Sequence, residues 1–324
     1  MVCGEALIDL VRSYGAGAAG PGTGGHFSSA WQAQSAGSPL NTAVALGRLG
    51  NDVQFLGRLS TDAFGQQLVR HLVDCQVALD LACTTVEATS IAVVSLDGQG
   101  KAAYSFHFAG TANFGWQPAE LPRLGSGDWL HIASLATIVE PGSAVLLDWL
   151  TGVQVPISYD INVRPTVIPD PARYWRTVLP WLQICGDKKG LVKASDDDVM
   201  FLAQGSPDTA SVTSPLEVAG IWVHRLGLER FVVTLGPAGA ASVEADGTVV
   251  RVLGHHADVV DTVGAGDTFT AGLLDAWAAG SSIDDALARG VAASAIVVTR
   301  SGAQPPTRSE LDTFTGRTAP AGRR

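Results

Sequence analysis

Strand-like and helix-like segments alternate through the second half of the chain, and this alternation constrains the fold more than any other feature. The candidate strands are residues 129–132, 155–159, 191–192 and 231–235. The candidate helices are residues 143–150, 174–181, 216–226 and 283–299. Short, continuously apolar strands that alternate with helices predict a parallel sheet covered by helices on both faces. We therefore expect an α/β fold, a Rossmann-like α/β/α sandwich with a mostly parallel central sheet.

The first third of the chain combines helices with shorter strands. Residues 6–10 form a candidate strand that carries Asp9 near its end, and residues 53–56 form another. Apolar residues at helical spacing predict helices at 41–50 and 64–73. These segments extend the α/β pattern toward the start of the chain.

A β-hairpin is predicted in the middle of the chain. Residues 91–96 and 102–108 have strand-like composition and flank an Asp97-Gly98 turn, a strong hairpin signal. The stretch 15–25 is rich in glycine, alanine and proline, and it holds too little apolar surface to form a core of its own. We expect both segments to contribute to a small β element outside the central sheet.

The predicted organisation is a single α/β domain over residues 1–316. The small β element is expected to form a lid from parts of 11–35 and 88–112. Residues 317–324 are basic and contain proline and glycine, so we expect a disordered tail.

Composition excludes several classes of protein. Hydrophobic residues make up 46% of the 324 positions and charged residues only 16%, so a substantial core is available. No apolar run reaches the roughly 18 residues of a membrane span, and the start of the chain lacks a signal-peptide pattern. The four cysteines show no metal-ligand spacing and indicate reduced thiols. A net charge of −10 argues against a nucleic-acid partner. We expect a soluble, cytoplasmic protein with no membrane partner.

The segment Asp261-Thr-Val-Gly-Ala-Gly-Asp267 points most directly to chemistry. Gly264, Ala265 and Gly266 form a small-residue turn that opens a helix, because Phe269 begins an apolar pattern of four-residue spacing. The N–H groups of such a turn and the helix dipole favour an anion. A carboxylate beside an anion hole suits a base that activates an alcohol for attack on a phosphoryl group. A second interpretation is open at this point, since Asp267 is also a favoured helix N-cap.

Two other motifs carry no function. Residues 15–20 match GxGxxG, but no helix pattern follows them and the next acidic residue is Asp52, so dinucleotide binding is not expected. His255 and His256 have no carboxylate or thiol at ligand spacing, and we expect them in a solvated loop or edge strand.

Six segments in the correct order resemble the PfkB (ribokinase-like) carbohydrate kinase family, most closely its fructokinase-like branch. The resemblance extends over essentially the whole chain, and the segment ending at Asp267 is its most specific part. The six segments are Glu5-Ala-Leu-Ile-Asp-Leu10, Ala36-Gly-Ser-Pro-Leu-Asn41, Asp160-Ile-Asn-Val-Arg-Pro165, Val192-Lys-Ala-Ser195 through Asp198, Thr234-Leu-Gly-Pro-Ala-Gly239 and Asp261–Asp267. The resemblance implies ATP as the donor, a requirement for Mg²⁺ and a lid that excludes water.

The resemblance also implies roles for individual residues on the sugar side. Asp267 would be the general base, and the N–H groups of Gly264, Ala265 and Gly266 would stabilise the transferring phosphoryl group. The residues expected to bind the sugar are Asp9, Gly37, Asn41, Arg164 and Phe106. For some of them an alternative stays open: Asn41 as a helix N-cap, Arg164 in a surface ion pair, and Phe106 with Phe108 as packing within the lid.

On the nucleotide side, the resemblance places Lys193, Ser195, Thr234, Gly236 and Gly239 near ATP. Asp198 would order water around Mg²⁺, although the run Asp196-Asp197-Asp198 also suits an acidic helix start. A potassium site is implied near Asp261, Val263, Arg300 and Gly302. The chain departs from the family pattern at Ala36, Ser60 and Asp198, where glycine, glycine and glutamate are usual.

The expected activity is transfer of the γ-phosphoryl group of ATP to a primary hydroxyl, with conversion of fructose to fructose 6-phosphate favoured. Ribokinase and 2-keto-3-deoxygluconate kinase activities are the alternatives, and a non-catalytic sugar or nucleotide sensor is an alternative of another class. Residues 88–112 contain Lys101 as their one cationic residue, which disfavours an acid sugar. A strand edge in the lid suggests a homodimer.

Overall fold

The structure is a computed structural model that describes residues 1–12, 29–96 and 102–316. Three sequence predictions lie outside these ranges: the GxGxxG match at 15–20, the turn at 97–100 and the tail at 317–324.

Within the described ranges the strands, numbered in chain order, are β1 (Val2–Cys3), β2 (Leu7–Arg12), β3 (Trp31–Ala36), β4 (Val53–Leu56), β5 (Arg58–Ser60), β6 (Val77–Ala78), β7 (Cys83–Thr85), β8 (Ile91–Leu96), β9 (Ala102–His107), β10 (Leu130–Ala133), β11 (Ile157–Asp160), β12 (Leu191–Ser195), β13 (Arg230–Thr234), β14 (Ala240–Glu244) and β15 (Val249–Val252). The α-helices are α1 (Ser38–Arg48), α2 (Ala63–Asp74), α3 (Gly142–Gly152), α4 (Pro171–Asp187), α5 (Asp196–Ala203), α6 (Pro215–Leu226), α7 (Ala265–Ala278), α8 (Ile283–Val297) and α9 (Arg308–Phe314).

The central sheet contains nine strands in the order β15-β14-β13-β12-β11-β10-β1-β4-β6. The strands from β13 to β6 in this order are parallel, whereas β14 pairs antiparallel with β13 and β15 pairs antiparallel with β14. The predicted α/β fold with a mostly parallel sheet is therefore confirmed. Sequence analysis missed the β14–β15 edge, which turns at the left-handed Gly247 (φ 85°).

A second sheet of four strands has the order β3-β2-β8-β9. Strands β8 and β9 pair antiparallel, from the Ile91–His107 pair to the Leu96–Ala102 pair, as the hairpin pattern predicts. Strand β2 is parallel to β8 and antiparallel to β3. Because β2 starts at Leu7, Asp9 belongs to this sheet, which begins earlier in the chain than the predicted residue 11.

Helices cover both faces of the central sheet. On one face, helices α3 to α6 pack on a core rich in large aromatic rings, where Trp175 stacks on Trp222 at a centroid distance of 4.9 Å. On the other face, α1, α2 and α7 share a core with the opposite side chains of the strands, and α8 packs along α7. The α/β/α layering follows from this arrangement.

The carboxyl ends of the parallel strands place polar residues at one edge of the sheet. Asp160 ends β11, Ser195 ends β12 and Thr234 ends β13; Asp160 pairs with Lys193, and Ser195 pairs with Thr234. This edge is where α/β sheets bind ligands. In the described ranges, no helix has the length and apolar character that crossing a membrane requires.

Candidate active site

A cavity of about 290 Å³ lies where the four-stranded sheet faces the start of α1 and α7. It is lined by all five residues predicted to bind the sugar, namely Asp9, Gly37, Asn41, Phe106 and Arg164. Gly264, Val263 and Asp267 line it as well. These residues thus come together from five separate parts of the chain.

Helix α7 begins at the predicted glycine turn and carries Asp267 in its first turn. Gly264 is the N-cap and has a left-handed backbone (φ 74°), and no side chain caps the helix. The Asp267 carboxylate instead accepts hydrogen bonds from Ser38 Oγ (2.7 Å to Oδ1) and Asn41 Nδ2 (2.8 Å to Oδ2). The interpretation of Asp267 as a helix cap is therefore wrong.

The environment of Asp267 favours a proton acceptor. Burial raises the pKa of Asp267, while the hydrogen bonds from Ser38 and Asn41 act in the opposite direction. A carboxylate with a raised pKa is a stronger base than an exposed one, and the two hydrogen bonds fix its orientation. Asp267 is thus a buried carboxylate of fixed orientation that lines the cavity.

Helix α1 delivers Asn41 and Ser38 to Asp267. Its N-cap is Gly37, whose φ of 118° favours glycine, and a Cβ there would lie 2.7 Å from the carbonyl oxygen of Glu5. Gly37 therefore allows the Glu5 backbone to approach closely. The need for glycine at this position comes from a contact within the protein and not from a contact with the sugar. Asn41 lies one turn inside the helix, so its interpretation as an N-cap is wrong.

The N–H groups at the start of α7 differ in their availability. The Ala265 N–H donates to the Thr262 carbonyl (3.2 Å). Within the described part of the chain, the N–H groups of Gly264 and Gly266 have no protein acceptor. A Cβ on Gly266 would lie 3.1 Å from Lys193 Nζ, so this glycine also lets a cation approach the helix terminus. The donor set suits an anion such as a phosphoryl group.

Lys193 is buried and paired with Asp160. Its Nζ lies 2.9 Å from Asp160 Oδ2, which also accepts a hydrogen bond from Thr270 Oγ1 (3.3 Å). Burial lowers the pKa of Lys193, but the charge and hydrogen bond of Asp160, together with the charges of Asp198 and Asp267, outweigh burial, so the net pKa is raised. Among the described residues, Asp160 Oδ1 has no hydrogen-bond partner although it is buried. The lysine is therefore charged beneath the helix terminus, with an acceptor beside it available to a further donor.

Three ionisable side chains from different elements meet at the far wall of the cavity. Burial raises the pKa of Asp9 to about 6 and that of Glu5 to about 7, and the charge of Arg164 opposes both shifts. Arg164 Nη1 donates to Asn162 Oδ1 (2.6 Å). Arg164 forms no ion pair with the carboxylates that the structure describes, so the surface ion-pair interpretation is wrong.

The two phenylalanines of the hairpin have different surroundings. Phe106 lines the cavity together with Tyr104, and their rings stack at 6.1 Å. Phe108 instead packs edge-on against Phe114 at 5.3 Å and does not line the cavity. Phe106 thus faces the cavity, while Phe108 packs against other aromatic side chains.

The predicted nucleotide-side residues lie at the carboxyl edge of the central sheet. Gly236 (φ 53°) and Gly239 (φ 101°) have the left-handed backbone that favours glycine. Ser195 caps α5, and Asp198 forms a reciprocal capping box with it. The second Asp198 oxygen accepts from the Val163 N–H (3.0 Å), so both oxygens already have backbone partners.

The residues of the implied potassium site are only partly brought together. Asp261 accepts hydrogen bonds from the N–H groups of Val263 (3.0 Å) and Gly302 (2.8 Å) and so ties two loops. The Arg300 side chain turns away to Glu310 (2.7 Å). In the described ranges, no group of three or more His, Cys, Asp and Glu side chains could hold a metal ion.

Sequence reasoning missed four residues of this site: Glu5, Ser38, Tyr104 and Asp160. Glu5, Ser38 and Asp160 lie inside the segments that carry the family resemblance, which was the available signal. Tyr104 precedes Phe106 by two positions, so strand alternation places both rings on one face. Neither signal indicates that Ser38 contacts a carboxylate 229 residues away.

Comparison with known proteins defines the class. The pattern of the pfkB family of carbohydrate kinases matches residues 1–310, and the chain belongs to this family. The fructokinase of Klebsiella pneumoniae is 32% identical over 251 residues, covering 75% of this chain and 76% of that protein. The fructokinase of Rhizobium leguminosarum bv. trifolii is 33% identical over 282 residues, covering 85% and 78%. The crystal structure of a fructokinase double mutant from Vibrio cholerae O395, with fructose, ADP and potassium bound, superposes with a TM-score of 0.79 at 26% identity, covering 97% and 96%.

Proposed function

We propose that this carbohydrate kinase transfers the γ-phosphoryl group of ATP to the primary hydroxyl of fructose, giving fructose 6-phosphate, with Asp267 as the general base. The observation that carries the proposal is the position of Asp267: buried at the start of α7, oriented by Ser38 and Asn41, and lining the cavity. The fructokinase relatives support the choice of fructose.

Each step of the proposed reaction uses residues at one end of α7. A sugar hydroxyl in the cavity loses its proton to Asp267, which makes the oxygen a nucleophile. The Gly264 and Gly266 N–H groups and Lys193 hold negative charge on the group being transferred. The Ala265 N–H joins them only if its bond to Thr262 opens. ATP, when bound, supplies the phosphoryl group.

The nucleotide and metal ions are part of the proposal. We place ATP along the edge formed by Lys193, Ser195, Thr234, Gly236 and Gly239. The unpartnered Asp160 Oδ1 and the carboxylate of Asp198 are the oxygen ligands or water acceptors that would suit Mg²⁺. The loops tied by Asp261 offer backbone carbonyls of the kind that suits K⁺.

The charge of the cavity favours a neutral sugar. Three carboxylates line it (Glu5, Asp9 and Asp267), while Arg164 is the one cationic side chain among the described lining residues. A sugar acid would place a further negative charge among them, so 2-keto-3-deoxygluconate is disfavoured. Asp9 and Asn41 offer acceptors and donors for sugar hydroxyls, and Phe106 offers an apolar face.

ADP release measured in a coupled assay across a sugar panel tests the proposal. The panel contains fructose, ribose, 2-keto-3-deoxygluconate and no sugar, and the variants are wild type, Asp267→Asn and the exposed control Asp258→Asn. We expect fructose to give the highest kcat/KM, and Asp267→Asn to lower kcat by roughly 10²–10⁴. If wild type phosphorylates none of the sugars, the non-catalytic sensor is supported. If Asp267→Asn keeps the wild-type kcat, the assigned base is refuted.

The proposal includes a cytoplasmic location and a homodimer. All four cysteines are free, as in a reducing compartment.

The four-stranded sheet has β3 and β9 at its edges, with Trp31 (39%) and Tyr104 (40%) partly exposed, and we propose that it pairs with a second copy. Sedimentation equilibrium decides this, because a monomer at micromolar concentration would refute it.

A further inference from the structure

Glu5 is a buried carboxylate that no step of the proposed reaction uses. Its exposed fraction is 1%, yet it lines the sugar cavity. It lies between β1 of the central sheet and β2 of the four-stranded sheet, where the next residue, Ala6, is held at both its N–H and its carbonyl by the Asn113 side chain. Burial of a carboxylate lowers stability unless its charge and its hydrogen-bonding capacity are used. The contacts of Glu5 therefore indicate what it does.

The Glu5 side chain contacts the backbone next to Leu135, a residue that also lines the cavity. Its Oε2 accepts a hydrogen bond from the Ala136 N–H (3.1 Å), in the turn that follows β10. That turn contains Ser134, whose backbone is left-handed (φ 56°), and Leu135, which lines the cavity. The carboxylate therefore holds a strained turn in the position that shapes the sugar site.

Glu5 and Arg164 line the same cavity. Attraction between the two charges opposes the effect of burial on the Glu5 carboxyl. Arg164 Nη1 is held by Asn162 and two backbone carbonyls, while Nε and Nη2 have no acceptor among the described residues. The negative charge of Glu5 therefore attracts the guanidinium of Arg164, whose Nε and Nη2 are available to bind sugar oxygens.

We propose that ionised Glu5 is a positioning residue for the sugar: it fixes the cavity wall at residues 135–136 and orients Arg164 toward the bound substrate. The inference rests on the proposed sugar kinase function and deepens it. It predicts that sugar binding requires the charged form of Glu5.

A pH dependence follows from the neighbourhood of Glu5. The ionisable groups that face it are Cys3 on β1, Arg164 after β11 and Tyr174 on α4, and Asp9 and Asp267 share the cavity. Burial raises the pKa of Glu5 to about 7, so near pH 6 most unliganded molecules carry a neutral Glu5. Sugar binding must then expel a proton, and the KM should be about tenfold higher at pH 6 than at pH 8.

The test measures KM and kcat from pH 6 to 8.5, on the panel sugar that wild type turns over best, for wild type, Glu5→Gln, Arg164→Gln and the control Glu140→Gln. Glu140 is an exposed glutamate that follows the same turn. In Glu5→Gln the amide oxygen still accepts from Ala136, but the charge is lost. We expect its KM at pH 8 to rise about tenfold with kcat little changed, and its KM to lose the step near pH 7.

Asp9, whose pKa is raised to about 6, titrates in every variant, so the difference between wild type and Glu5→Gln isolates Glu5. Arg164→Gln removes the guanidinium that ionised Glu5 orients, so its KM should be about tenfold above the wild-type value at pH 8, where Glu5 is charged; this decides the matter if Glu5→Gln fails to fold. Parallel KM profiles in wild type and Glu5→Gln, or a wild-type KM at pH 8 in Arg164→Gln, would overturn the inference and leave the kinase activity standing. Absence of turnover by wild type would refute the proposed function itself.

Discussion

The hydrogen bond from Ser38 to Asp267 allows a sharp test of the catalytic base. It is 2.7 Å long, buried, and donated to a carboxylate whose pKa is raised by burial. In Ser38→Ala the charged form of Asp267 loses one of two side-chain donors, so the pKa of Asp267 rises further. Hydrogen bonds to charged groups contribute about 1.5–3 kcal/mol. At about 1.4 kcal/mol per factor of ten, the fraction of ionised Asp267 should fall roughly tenfold to a hundredfold at acid pH.

The assay is kcat/KM as a function of pH, since this ratio reports the ionisation of the free enzyme. Below the pKa of Asp267 in both proteins, Ser38→Ala should lose the full factor, while at higher pH the two profiles should converge. Ser143→Ala is a matched control, because Ser143 is a buried serine in the first turn of α3 and does not line the cavity. A loss that is equal at every pH, or superimposable profiles, would refute the role of Ser38 in holding the base ionised.

Three further predictions concern the same end of the molecule. Asp267→Asn should raise the melting temperature at pH 8, because it removes a buried charge while its amide oxygen accepts from Asn41 and its NH2 group donates to the Ser38 hydroxyl; a lower melting temperature would contradict this. Lys193→Met should lower the free energy of unfolding in urea by about 3–5 kcal/mol, because it leaves Asp160 buried and unpaired, whereas the exposed control Lys189→Met should change it little. Replacing K⁺ by Na⁺ at constant ionic strength should lower kcat if the loop at Asp261 binds potassium, and equal rates would count against that site.

Much of the fold follows from local sequence because periodicity and turn chemistry are local. The strand at Val53–Leu56 and the start of α7 after Gly264 both follow from apolar spacing and glycine placement. Helix α4 is longer than predicted, since its buried stripe continues past Pro180 to Cys185. Pro180 weakens the helical pattern near the predicted end at residue 181, whereas packing of the buried stripe continues the helix beyond it.

The membership of β2 and the partners of Asp267 could not be predicted, because both depend on contacts distant in sequence. The apolar run that includes Leu7 is equally suited to either sheet, and only its pairing with β3 and β8 assigns it to the small one. Ser38 lies at a helix start, where serine usually serves as a cap. Its contact with Asp267 arises because α1 packs against α7 on the same face of the sheet.

The cost of this site is electrostatic and can be assigned to single groups. Asp267, Glu5 and Asp9 all have folded-state pKa values raised by burial, so the folded protein retains their protons to higher pH than the unfolded chain does. Each such group therefore makes the protein less stable as pH rises through its folded-state pKa. A sugar that donates its hydroxyl hydrogen bonds to the charged carboxylates would offset this loss of stability. The folded protein should therefore be more stable with bound sugar than without it at a pH where these carboxylates are ionised. Lys193 differs from these carboxylates, because its charge is already compensated by the ion pair with Asp160 before any ligand binds.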